Sequence, residues 1–153
     1  KIQAEEKRKA EEAEKKRLAE KYDIIPVVKV RDKYYVTGTI GRKRIKFEYD
    51  AEGSRAEIPQ RTVEALIKAG KVSVSDFSDG NKKLKLTDGT KITSTSFKIP
   101  ELVLDGVMLT RVRCKMVDDT KKPKLGGGVF NKNYIDVEIK DSKLYLTKEQ
   151  SDR

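Results

Sequence analysis

The feature that most constrains this chain is a change of sequence period at Pro26. Before it, residues 1–21 (KIQAEEKRKAEEAEKKRLAEK) are almost entirely Ala, Glu, Lys and Arg, the strongest helix formers. Glu11–Lys15 and Glu12–Lys16 place Glu four residues ahead of Lys, a pairing that supports an exposed helix by roughly 0.2–0.5 kcal/mol each. Ile2, Ala10, Ala13, Leu18 and Ala19 sustain no heptad, so the stretch predicts a solvated spacer helix rather than a coiled coil. Pro26 and its β-branched neighbours end the helical pattern. Beyond it the apolar runs are short and separated by turn residues at near-regular intervals. Such a chain hides its apolar faces by closing short strands into a barrel or sandwich.

The runs can be followed in order. Val27, Val28 and Val30 precede a turn at Arg31-Asp32-Lys33. Tyr34–Ile40 and Arg44–Tyr49, on either side of Gly41-Arg42-Lys43, form a hairpin whose second strand alternates polar and apolar residues. Pro59–Ala69 is the one internal helix, with Val63, Leu66 and Ile67 at helical spacing and Gly70 as its stop. Val72–Phe77 reads as a strand. Lys82–Leu86 and Lys91–Phe97 flank Thr87-Asp88-Gly89-Thr90, a strong hairpin signal. Leu102–Leu104, Val107–Met108 and Thr110–Val117 continue the β pattern, Lys121–Lys124 reads as exposed loop, and Tyr134–Ile139 with Lys143–Thr147 make a last hairpin. The expected organisation is a charged helical spacer over residues 1–25 and a β domain over residues 26–150, with no internal repeat.

Composition excludes several chemistries. The chain has 153 residues, no His and one Cys. A His/Cys zinc site, a Ser-His-Asp triad and an internal disulfide are therefore ruled out, and no metal or other cofactor is expected. Hydrolytic chemistry, if present, rests on carboxylates, Lys, Tyr, Ser or Thr. The formal net charge of +10 favours anionic partners. No basic block is interleaved with aromatics to stack bases, however, and the alternation of Arg111, Arg113 and Lys115 on one strand face makes a weak patch. No apolar run is long enough to span a bilayer, and nothing in the composition assigns a compartment.

Three motifs fall in a telling order: Asp50-Ala51-Glu52-Gly53-Ser54 with Ile58-Pro59 after the first hairpin, then Thr87-Asp88-Gly89-Thr90, then Leu125-Gly126-Gly127-Gly128-Val129-Phe130 before the final strand pair. Together they resemble the retropepsin-like, single-domain aspartic peptidases over about three quarters of the chain. The resemblance implies a mainly β fold: a closed retropepsin-like β-barrel with one short helix, preceded here by the charged helix. It implies Asp50 as the catalytic aspartate, Thr87–Thr90 as the flap, an obligate homodimer with one Asp50 from each subunit, and an extended peptide or protein as substrate. The chemistry needs two carboxylates sharing one proton around a water, because two like charges a few ångströms apart resist joint ionisation.

Two positions depart from the family pattern. Ala51 stands where a Thr or Ser hydroxyl ties the two loops across the dimer axis. Glu52 stands where a Gly lets the backbone approach the carboxylate, so its side chain is expected to crowd Asp50 and add charge beside it. Ser54 matches the pattern. The resemblance thus implies a degenerate peptidase domain with weak or no proteolysis, acting by dimerisation or by binding extended peptide. Two alternatives stay open: an active aspartic endopeptidase using Asp50 from each subunit, and a basic β-barrel that binds nucleic acid.

Overall fold

A computed structural model describes residues 2–149 of the chain. Residues 1 and 150, the outer limits of the two expected segments, lie outside the described residues. The charged stretch forms α1 (Ile2–Lys21). From residue 4 onward its side chains are exposed, apart from the half-buried Leu18. Glu14 and Arg17 pair along its surface, and Lys148 Nζ donates to Ala19 O at 2.7 Å, fastening the last turn. A helix polar all round has no apolar face to bury.

The next residues leave the helix earlier than Pro26 suggests. Strand β1 (Tyr22–Pro26) begins directly after Lys21, because Ile24 and Ile25 belong to a sheet. It pairs with β12 (Lys143–Lys148), which also pairs with β11 (Tyr134–Lys140). In this three-stranded sheet Asp23 accepts a hydrogen bond from the Tyr134 hydroxyl and lies 3.5 Å from Lys148 Nζ. Burial first, and then the Asp23 carboxylate, push the Tyr134 phenol well above its ordinary range.

The remaining strands make the barrel. β2 (Val28–Val30) is an appendage on β3 (Lys33–Ile40), which turns back as β4 (Lys43–Asp50) in the predicted hairpin. β5 (Ala56–Pro59) runs into α2 (Gln60–Lys68), which buries Val63 and Leu66. The helix ends in a Schellman motif: Lys71 N donates to Leu66 O and Gly70 N to Ile67 O, with Gly70 at φ +74°. β6 (Leu84–Lys85) and β7 (Lys91–Ile92) form a separate two-residue ladder. β8 (Ser96–Leu104) and β9 (Val107–Val117) are the longest pair, and β10 (Lys124–Gly126) completes the set. The order β3-β4-β10-β5-β9-β8 closes on itself through Thr39 opposite Val103. The fold is thus mainly β, a closed six-stranded barrel with one short internal helix.

The interior is apolar. Phe47, Phe97, Phe130, Ile58, Ile99, Leu102, Leu109 and Leu125 are among its fully buried side chains, and no polar or charged residue is buried among the described residues. Any polar chemistry must therefore occur on the barrel's outside or rim.

Three local readings change. Val72–Phe77 holds a 3-10 turn at Val74–Asp76 rather than a strand, because Ser73 N donates to Asp76 Oδ2 at 2.8 Å and side-chain bonds of this kind compete with a ladder. The three apolar fragments between residues 102 and 117 belong to two long strands. The pairing skips between Ile99–Val112 and Glu101–Thr110, where Pro100 offers no N–H. Finally, Lys124 is not loop but the start of β10, a strand whose polar approach hid it.

Candidate functional site

The site arises from one topological fact. β4 and β5 are consecutive in sequence but not neighbours in the barrel, because β10 lies between them, parallel to β4 and antiparallel to β5. The connection Ala51–Arg55 must therefore cross over the end of β10. Gly126, the last residue of β10, is the register partner of Asp50, the last residue of β4. The loop and the glycine run are thus pressed together.

Their contact leaves no room for side chains. A Cβ on Gly126 would lie 2.6 Å from both Arg55 O and the Gly53 carbonyl carbon. On Gly127 it would lie 2.8 Å from Ala51 O and the Tyr49 hydroxyl, and on Gly128 2.8 Å from Ser54 Cα. Backbone bonds fix the crossing: Gly126 N to Arg55 O at 3.1 Å and Gly128 N to Gly53 O at 2.9 Å. The first and third sequence motifs therefore form one structural unit. The requirement for glycine at three successive positions comes from this crossing.

Asp50 is exposed at the start of the loop. Its Oδ1 accepts the Glu52 N–H at 3.1 Å, and its carbonyl accepts the Gly53 N–H at 3.1 Å. The expected crowding by Glu52 does not occur within the chain, since that side chain is exposed. The residue lying against the carboxylate is Gly53, where a Cβ would sit 3.1 Å from Asp50 Oδ2 and 3.0 Å from Gly126 Cα. The backbone that comes close to the carboxylate is thus that of Gly53, the residue after Glu52. Ala51 and Ser54 are exposed beside it. Tyr49, a residue the sequence did not single out, is half-buried beneath the loop. Burial first, then the charges of Asp50 and Asp136, raise its phenol above the ordinary value of 10.0.

Two recesses flank the loop. One, of about 600 Å³, lies between Ala51–Ser54, Gly127, Gly128 and the start of β11, with Asn131, Lys132 and Asp136 around it. Ile135 stands at its edge, 65% exposed. It is passed over in the pairing of β11 with β12, which shifts register between Tyr134 and Asp136, a bulge that re-aims a side chain. The other, of about 610 Å³, lies between Ser54-Arg55, the segment ends Ser78-Asp79 and Ser94, and the strands carrying Lys98 and Arg113. Ser54 and Arg113 line both.

The hairpin tip Thr87-Asp88-Gly89-Thr90 lines neither recess. It is tied to α2, where Glu64 Oε1 accepts the Thr87 N–H at 2.6 Å and Oε2 its hydroxyl at 3.1 Å. Asp88 Oδ1 accepts the Thr90 N–H at 2.9 Å, and hydrogen bonding to Thr90 holds the Asp88 carboxyl below its ordinary value. The structure thus joins Asp50–Ser54 to Gly126–Gly128 and sets Thr87–Thr90 apart from both. Among the described residues, no three His, Cys, Asp or Glu side chains gather as metal ligands, and no helix is long and apolar enough to cross a membrane.

No protein-family profile and no curated protein matches the chain. Solved structures do. A retropepsin-like aspartic protease from Rickettsia conorii is similar over 83% of this chain and 90% of its own, with 17% identity and a TM-score of 0.53. The retroviral protease-like domain of Ddi1 from Leishmania major is similar over 78% of this chain and 96% of its own, with 18% identity and a TM-score of 0.43. The first of these likenesses establishes the fold as retropepsin-like.

Proposed function

We propose that this chain is a degenerate retropepsin-fold domain that pairs with a second copy and binds extended peptide, with weak or no proteolysis. The observation that carries the reading is the Asp50 loop itself. Its backbone is held by glycine contacts and by the Glu52 N–H on Asp50 Oδ1, while the hydroxyl that would tie two such loops together is replaced by the Ala51 methyl. One chain offers one aspartate at this position. A second copy brings another, and it brings a second Glu52 as well. Four carboxylates near one axis repel strongly unless protonated, so the shared-proton pair that peptide hydrolysis needs is disfavoured.

The recess beside Ile135 supports pairing, because it places an exposed apolar side chain next to the loop that a partner would meet. The cavity on the other side of the loop supports peptide binding, which in such a fold proceeds by strand addition. The helix α1 then acts as a solvated spacer at the edge of this domain. Sedimentation velocity over a concentration series tests the pairing: a dimer is expected, with Ile135→Asp shifting it to monomer. A wild-type chain that stays monomeric at every concentration would remove the reading.

A further inference from the structure

The cavity between the Asp50 loop and the base of the hairpin carries a charge pattern that peptide binding alone leaves unexplained. Cys114 is the register partner of both Ala56 and Phe97, and all three side chains are buried. Side chains alternate along a strand, so the adjacent Arg113 and Lys98 face the opposite, outer side, and Arg55, in the bend before β5, lines the same cavity. Lys98 and Arg113 are direct partners, and Arg55 precedes Ala56 in the parallel register of β5 on β9. With neighbouring strands roughly 4.8 Å apart, Lys98 and Arg113 sit side by side, and Arg55 lines the same cavity as a third cation. Like charges set opposite one another destabilise a sheet. Among the described residues none of the three forms an ion pair.

Serines share the cavity with these cations. Ser54, Ser78 and Ser94 line the same cavity, and Asp79 is its one carboxylate. Ser78 is fixed there by its N–H on Ser96 O at 2.9 Å. Three cations against one carboxylate suit a ligand group of charge about −2, which is that of a phosphoryl monoester near neutral pH. Guanidinium forks and hydroxyl donors are the groups that bind such oxygens.

We propose that this cavity holds a phosphoryl group carried by the bound peptide, so that the domain selects phosphorylated chains. The inference rests on the extended-peptide reading and names its substrate class. A peptide is favoured over a nucleic acid because the one aromatic side chain lining the cavity, Phe97, is buried and offers no face for a base.

The test uses the whole chain in two arms. In the first, inorganic phosphate is titrated against chloride at matched ionic strength, and backbone amide shifts are followed. Saturable shifts at Arg55, Ser78, Asp79, Ser94, Lys98 and Arg113, lost in Arg113→Gln with Lys98→Gln, are expected. Absence of shifts at these residues overturns the proposal whatever peptides do. In the second arm, fluorescence anisotropy compares dodecapeptide pools fixed at their centre as phosphoserine, serine or glutamate. The phosphoserine pool is expected to bind on the order of tenfold more tightly than the serine pool, with the margin removed in the double variant. Equal binding of the two pools overturns the proposal while leaving peptide binding intact. If phosphate binds and no pool does, the extended-peptide reading fails and this proposal with it. Preferential retention of a single-stranded oligonucleotide through the same residues also overturns it. Because the substituted side chains are outward-facing, an unchanged thermal midpoint verifies that each variant is folded.

Discussion

The Asp50 loop and the Thr87–Thr90 hairpin are built on the same device and end in opposite states. In each, an aspartate at the start of a turn accepts the N–H two residues on: Glu52 N at 3.1 Å from Asp50 Oδ1, and Thr90 N at 2.9 Å from Asp88 Oδ1. The first turn then crosses β10 and packs against Gly126, Gly127 and Gly128, where a Cβ would lie 2.6–2.8 Å from other atoms. The second tips a two-residue ladder whose flanking Leu86 and Ile92 are buried in the core, and its Thr87 is tied to α2 by Glu64. Local turn chemistry is therefore shared, and packing sets the two turns apart. The first turn is enclosed by backbone on both sides, and the second is held by side-chain hydrogen bonds to α2.

The contrast breaks first at glycine. Gly126→Ala drives a methyl into Arg55 O and Gly53, each within 2.6 Å, and is expected to cost about 3 kcal/mol in urea unfolding. Gly89→Ala meets only Lys85 Cε at 4.0 Å, and its φ of +89° makes backbone strain the main cost, about 1–2 kcal/mol. Equal losses at the two positions would show that packing does not separate the loops. The next effect is smaller. Glu64→Ala removes the tether of the hairpin tip and is expected to cost about 1 kcal/mol. Amide exchange should speed up at Thr87 while the Ala51–Arg55 crossing stays protected.

The retropepsin-like fold was legible because its cues are local. The hairpin from Tyr34 to Tyr49, the turn at Asp88-Gly89 and the helix before Gly70 are all written in neighbouring residues. What was not legible depends on distant partners. β10 arrives some seventy residues after β4 and wedges between β4 and β5, and nothing in Lys121–Lys124 announces a strand. For the same reason the motif placed a side chain at Glu52 against Asp50, whereas the crossing sets Gly53 there. The separation of Thr87–Thr90 from the loop depends on Glu64, which reads in sequence as an ordinary helix residue. Arg113 was visible only as part of a weak stripe, because its neighbours Arg55 and Lys98 come from other parts of the chain.

Alkaline titration sharpens the account of what lies under the loop. Cys114 is held neutral by burial, its thiol pushed up from 9.0 to about 12. Tyr49 and Tyr134 are raised above 10.0. In each case the folded state keeps its proton at a pH where the unfolded chain loses it, so stability is full below about pH 9 and falls as pH rises toward 12. Urea midpoints across that range are expected to decline, with Cys114→Ala flattening the earliest part of the fall. A midpoint that stays level would mean that these groups are not sheltered as described.

The most direct test of the central claim is cleavage of an unstructured protein substrate by the purified chain between pH 4 and 7, run beside Asp50→Asn. The account predicts that the two are indistinguishable, or differ by a trace, because on the proposed reading Ala51 and a second Glu52 disfavour a shared-proton carboxylate pair. Robust cleavage that disappears in Asp50→Asn would contradict it and make this loop a working catalytic centre.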